Sequence, residues 1–72
     1  MYFILETQVN DGVGAMLPAQ TRDTKNEAES VYHSILSFAA TSNVDHHGAI
    51  ILDENCVPIM YKAYTHEVEN NG

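Results

Sequence analysis

The strongest constraint on the fold is one amphipathic segment in the middle of the chain. Between Thr24 and Thr41, apolar side chains recur with the i, i+3, i+4, i+7 spacing that places them on one stripe of an α-helix. Thr24 and Glu27 match the S/T-x-x-E capping box, which predicts that the helix begins there. We expect this to be the only helix, and its stripe to need a sheet to pack against. The stripe consists of Ala28, Val31, Tyr32, Ile35, Leu36 and Ala39.

The residues before the helix have the composition of a β-hairpin. Residues 2–9 are rich in β-formers, and residues 10–14 are dense in turn formers. A second strand follows over residues 15–21. Because Pro18 cannot donate to a ladder of hydrogen bonds, this strand is predicted to lie at an edge or to be bulged.

The residues after the helix indicate a second hairpin. A loop over 43–47 leads through Gly48 into a short apolar strand, a turn over 53–55 follows, and the last strand covers 56–65. The order ββαββ predicts an α+β fold, with a four-stranded, mainly antiparallel sheet and one helix packed on one face. We expect a single domain over residues 1–66 and a polar C-terminal tail over 67–72.

One face of this sheet is predicted to stay free of the helix. A helix about 10 Å wide cannot cover both faces of a sheet whose strands are ~4.8 Å apart. We expect Tyr2, Ile4, Met60 and Tyr64 on the uncovered face. Tyr and Met are enriched at interfaces, so these four residues are the predicted interface with a second copy or a partner. The alternative is that they are ordinary scattered surface apolar residues.

Size and charge indicate the kind of partner. A chain of 72 residues is near the lower limit for folding alone, and Cys56, the single cysteine, cannot form an internal disulfide. Self-association is a common remaining source of burial, so we expect a homo-oligomer. Ten acidic against three basic residues give a net charge of −7, which argues against direct nucleic-acid binding and favours a protein partner with a basic surface.

The cellular location is predicted from the cysteine content and from the apolar segments of the sequence. It has an unpaired cysteine, no signal-peptide pattern and no apolar stretch of ~20 residues. These features favour a reducing cytoplasm and argue against membrane attachment.

Four histidines are the feature that most invites a chemical role. His46 or His47 with His66 and Glu67 could form a metal site, because imidazole and carboxylate suit Zn, Ni or Fe. Adjacent residues point in opposite directions in an extended chain, however, and there is no HxxxH or HExxH pattern. No nucleophile elbow or phosphate loop is present, and Cys56 stands beside an acidic turn. We therefore expect a non-enzymatic protein without a cofactor.

Several short stretches along the chain form one pattern: Tyr2-Phe3, Glu6-Thr7-Gln8, Asn26-Glu27-Ala28, Tyr32-His33, Leu36, Ala39-Ala40, Ser42, His47-Gly48-Ala49, Tyr64 and His66-Glu67. With this pattern the chain resembles short uncharacterised proteins of phages, prophages and mobile elements in Gram-positive gut bacteria. This resemblance implies a setting in which small proteins bind and block a larger host or defence protein. Inhibitors of CRISPR nucleases share this size and acidity, which is an analogy of class. The leading hypothesis is thus a small acidic binding protein, and the alternative is a His-rich metal-binding protein.

Overall fold

The chain folds as one helix on an antiparallel sheet, which confirms the predicted α+β class. The computed structural model describes residues 1–66, so the predicted tail over 67–72 lies outside the described residues. The elements, in chain order, are β1 (Tyr2–Asn10), β2 (Val13–Met16), β3 (Gln20–Arg22), α1 (Lys25–Ala39), β4 (His46–Leu52) and β5 (Pro58–Thr65).

The sheet has the order β2-β1-β4-β5, and all of its pairings are antiparallel. β3 pairs with the first residues of β1 on the same edge as β2, because β4 occupies the other side of β1. The predicted second strand is therefore one edge strand that is interrupted around Pro18, as its missing N–H group requires. Leu17 still donates its backbone N–H to the carbonyl of Glu6 at 3.0 Å, so the interruption stays attached to the sheet.

The helix begins where the capping box predicts. The N–H of Glu27 donates to the hydroxyl of Thr24 at 3.2 Å, and that hydroxyl donates to the Glu27 carboxylate at 2.8 Å. This pairing satisfies one of the N–H groups that a helix start leaves open. The 15-residue helix is too short to cross a membrane, and no other segment of residues 1–66 forms a helix that could do so.

The core lies between the helix stripe and the middle strands. Ile4 and Ile51 face each other in the β1–β4 ladder and are almost fully buried under the helix. Tyr2, Met60 and Tyr64 pack partly buried against the same cluster. The prediction that Tyr2, Ile4, Met60 and Tyr64 lie on the uncovered face is therefore wrong, since all four are on the helix side.

The physical reason is that alternation shows which residues share a face but not which face the helix covers. Glu6 and Gln8 stand in the same row as Ile4, which made that row look solvent-exposed. The predicted loop over 43–47 is also shorter than expected, because β4 already begins at His46. The last hairpin turns at Asp53, whose Oδ1 accepts from the backbone N–H groups of Asn55 and Val57 at 2.8 and 3.0 Å.

Candidate functional site

The sheet face opposite the helix is a surface that the described core leaves uncovered. Residues that stand opposite each other in an antiparallel ladder share a face, so Leu5, Ile50 and Tyr61 form one row across three strands. Tyr61 is 69% exposed, and Leu5 and Ile50 are half-buried. We call this surface the free face. Its apolar side chains are Phe3, Leu5, Val9, Met16, Ile50, Leu52, Tyr61 and Ala63.

The free face carries none of the described Lys, Arg, Asp or Glu side chains, and the exposed imidazole of His46 stands at one end of it. Lys62 and Glu6 are directly opposite Ala49 in the ladders and therefore lie on the helix side. Of the ten carboxylate side chains, Glu67 and Glu69 are outside the described residues. The other eight lie on the helix side, in turns or around the helix: Glu6, Asp11, Asp23, Glu27, Glu29, Asp45, Asp53 and Glu54.

The size of the free face can be estimated from sheet geometry. Four strands ~4.8 Å apart and about seven residues long, at ~3.3 Å per residue, span roughly 19 by 23 Å. The footprint of the whole face, which includes Thr7, His46 and Thr65, is therefore about 440 Å². The largest apolar patches on ordinary monomers are about 300–600 Å² and are often functional. An apolar patch of this extent with no charged group can be covered without desolvating an ion.

A buried polar cluster lies on the other side of the sheet, near the end of the helix. Nε2 of His47 is 2.6 Å from the Glu6 carboxylate, and Nδ1 is 2.9 Å from the hydroxyl of Ser42. The amide of Gln8 donates to the same Glu6 oxygen at 3.3 Å. We call these four residues the His47 cluster. It connects β1, β4 and the segment after α1, and within residues 1–66 it leaves no buried polar side-chain atom without a partner.

The His47 cluster combines the residue types of a serine hydrolase, but its geometry fits a structural role. A hydrolase needs a hydroxyl that is open to substrate and donors aimed at the developing oxyanion. Here the imidazole is 5% exposed, and both ring nitrogens are engaged between the helix and the sheet. The cluster therefore compensates the cost of burying polar groups in a small core.

The histidines of the predicted metal site are not brought together. His46 is exposed on the side of the free face, 3.3 Å from the hydroxyl of Thr65, whereas His47 points to the helix side. His66 donates from Nε2 to the carbonyl of Ala39 at 2.6 Å, at the end of the helix. Glu67 lies outside the described residues. Between Met1 and His66, no three His, Cys, Asp or Glu side chains are close enough to hold a metal ion.

Open grooves lie beside the helix, because one helix is narrower than four strands. The groove beside β5 has a volume of about 550 Å³ and contains Lys62, whose Nζ lies 4.9 Å from the ring centre of Tyr64. The groove on the opposite side has a volume of about 380 Å³ and contains the Glu6 carboxylate. We call it the Glu6 groove. It is lined by Glu6, Gln20, Ser30, Val31, Ser34, Ile35 and Phe38.

The fold and these surfaces define a small α+β protein with an uncovered apolar sheet. Comparisons with protein families, with curated proteins and with solved structures find no match. The function is therefore inferred from the geometry of this chain.

Sequence reasoning predicted an uncovered sheet face but assigned the wrong row of residues to it, and it missed the His47 cluster. The cluster had a usable signal, because Gln8 and His47 are opposite each other once the β1–β4 register is known. The register itself depends on which face the helix covers, and the single sequence leaves that choice open.

Proposed function

We propose that the protein is a small non-enzymatic binding protein that acts through protein–protein contacts. The observation that carries this proposal is the free face, an apolar surface without a described charge on an otherwise acidic molecule. A two-layer domain of this size gains stability by covering such a surface. Carboxylates around the rest of the molecule favour a further partner with a basic surface.

A second copy of the chain is the occupant that best fits the free face. The net charge of −7 makes two copies repel each other, and the free face is the side on which they can meet without bringing described carboxylates together. Two sheets that pack face to face lie ~10 Å apart and within about 30° of each other. Two footprints of about 440 Å² bury on the order of 1,000 Å² of corrugated surface, the size at which specific interfaces begin.

The biological role that we propose is the blocking of a larger protein. The resemblance to phage and mobile-element proteins supports a target in the host or its defences, such as a CRISPR nuclease. The acidity supports a target with a basic surface, because complementary charge increases the rate of encounter.

Sedimentation velocity at several protein concentrations tests self-association. The double variant Met16→Lys/Tyr61→Lys places charges at two of the most exposed positions of the free face, which are 63% and 69% exposed. We expect the unmodified protein to be a dimer and this variant to be a monomer with an unchanged circular dichroism spectrum.

Phe38→Lys is the matched control, because Phe38 is 75% exposed on the helix, away from the free face. It adds a positive charge at a comparably exposed apolar position and should leave the dimer intact. A wild-type protein that is monomeric at all concentrations would contradict the proposal. So would a double variant that dimerises as well as the wild type.

A further inference from the structure

We infer that the Glu6 groove binds the guanidinium group of an arginine side chain from a basic protein partner. This inference rests on the proposed function, because it identifies where on the acidic molecule such a partner makes contact. The groove lies on the helix side of the sheet and stays open when two copies meet through their free faces.

The Glu6 carboxylate is held in place as an acceptor. Its Oε2 lies 2.6 Å from His47 Nε2 and 3.3 Å from Gln8 Nε2, so the side chain is fixed by two strands. Within residues 1–66, Oε1 has no hydrogen-bond partner. An acceptor that is already ordered binds a donor at a lower entropy cost than a free surface carboxylate does.

The charge of Glu6 remains available in this arrangement. The Ser42 hydroxyl is 2.9 Å from Nδ1 of His47 and 3.4 Å from the carbonyl of Ala39, so its one proton has two acceptors. When it donates to the nearer Nδ1, a neutral ring donates from Nε2 to Glu6, and both ring nitrogens are satisfied. Glu6 is 20% exposed, so a cation that reaches it is partly withdrawn from water, where ion pairs are stronger than at the open surface.

The walls of the Glu6 groove suit a planar cation with an aliphatic stem. Phe38 offers an exposed ring face, on which a guanidinium group can stack. Val31 and Ile35 provide apolar contact for the methylene groups. The hydroxyls of Ser30 and Ser34 can accept hydrogen bonds from the remaining N–H groups.

No lysine or arginine lines the Glu6 groove. Arg22 reaches Gln20 at its margin with a long contact of 3.5 Å, but donates at 2.7 Å to the carbonyl of Thr21. Among the described residues, Glu6 therefore has His47 as its ring partner and no lysine or arginine within ion-pair distance. Arginine fits better than lysine, because five N–H donors in one plane can reach both the carboxylate and the serine hydroxyls.

The test is an NMR titration of the ¹⁵N-labelled protein with acetyl-Gly-Arg-Gly-amide. We expect saturable shifts at Ser30, Ser34 and Phe38, weakened by added salt as for any partly exposed ion pair. The same peptide with citrulline in place of arginine keeps the shape without the charge and should bind at least tenfold more weakly. A lysine peptide should bind more weakly than the arginine peptide.

Variants localise the site. Glu6→Gln keeps an acceptor for His47 but removes the charge, and should weaken binding by about tenfold or more, because hydrogen bonds to charged groups are stronger than those to neutral ones. Phe38→Ala should also weaken binding. Glu29→Gln removes a helix carboxylate outside the lining of the groove and should leave binding unchanged.

Shifts that spread over several carboxylates, or a citrulline peptide that binds equally well, would overturn the inference. Should Glu6→Gln lose the native spectrum, Phe38→Ala and the citrulline peptide decide the outcome. If the protein is a dimer but does not bind the arginine peptide, the inference about the Glu6 groove is wrong and the proposed function is unaffected. If the protein is a monomer that binds the peptide at this site, self-association is wrong and the inference about the Glu6 groove is supported.

Discussion

The His47 cluster shows how this small core accommodates polar residues. A buried imidazole between a carboxylate and a hydroxyl is tolerated because each ring nitrogen has a partner. Removing one partner leaves the nitrogen buried and unpaired, which costs about 1–3 kcal/mol of unfolding free energy. The cluster therefore stabilises the fold only as long as each of its buried polar atoms keeps a hydrogen-bond partner.

We expect Ser42→Ala to lower the free energy of unfolding by about 1–3 kcal/mol, because Nδ1 of His47 loses its partner. Urea denaturation followed by circular dichroism measures this loss. Ser37→Ala is the control, since Ser37 is exposed on the helix and alanine is a good helix former. Equal effects of the two substitutions would show that the contact between Ser42 and His47 does not contribute to the free energy of unfolding.

At the scale of single residues, the sequence predicted the helix stripe well and the sheet rows poorly. The buried helix residues are those that the 3.6-residue period selects, apart from the half-buried Val31. In β1 both rows contain apolar residues, so hydrophobicity does not distinguish the core row from the free one. The core row contains Glu6 and Gln8, whose burial depends on His47, a residue 39 positions away from Gln8.

Among the elements, β4 and β5 leave no room for a side chain at Gly48. A Cβ atom at this position would lie 2.6 Å from the carbonyl oxygen of Lys62 and 2.8 Å from the Cβ of Ala63. Both distances are shorter than real Cβ contacts, and one of the opposing atoms is backbone. The glycine therefore allows the two strands to pair without a bulge at this point.

Gly48→Ala is expected to destabilise the protein by about 1–3 kcal/mol or more, because the strands must separate to admit a methyl group. Gly14→Ala is the matched control in β2, where no atom lies within 4 Å of the added Cβ. It should be neutral or slightly stabilising, since alanine restricts the unfolded chain. The comparison is made by urea unfolding, and a tolerated Gly48→Ala would show that the two strands have room to separate.

The sequence predicted the elements better than it predicted their edges. The capping box located the helix start, and Pro18 located the interruption of the edge strand, because each acts through its own backbone. The start of β4 was placed too late, since His46 and His47 have no strong strand preference. Their pairing with Val9 and Gln8 in the adjacent strand determines their conformation.

For the whole molecule, the two proposed surfaces lie on opposite sides and respond to salt in opposite ways. Salt screens the repulsion between two copies of charge −7 and should strengthen a dimer through the free face. The same screening should weaken the binding of an arginine side chain to the Glu6 carboxylate in the groove. A dimer carries two such grooves facing outwards, so a basic partner with two suitably spaced arginines binds with avidity.

A dimer through the free face makes thermal stability depend on protein concentration. Because two chains unfold together, a tenfold increase in concentration adds about 1.4 kcal/mol per dimer, or about 0.7 kcal/mol per chain, which raises the Tm of a domain of this size by roughly 3–6 °C. Differential scanning calorimetry over a hundredfold range measures the slope. Met16→Lys/Tyr61→Lys should melt at a Tm independent of concentration, because it stays monomeric. A wild-type Tm that does not change with concentration, at low and at high salt, would contradict self-association through the free face.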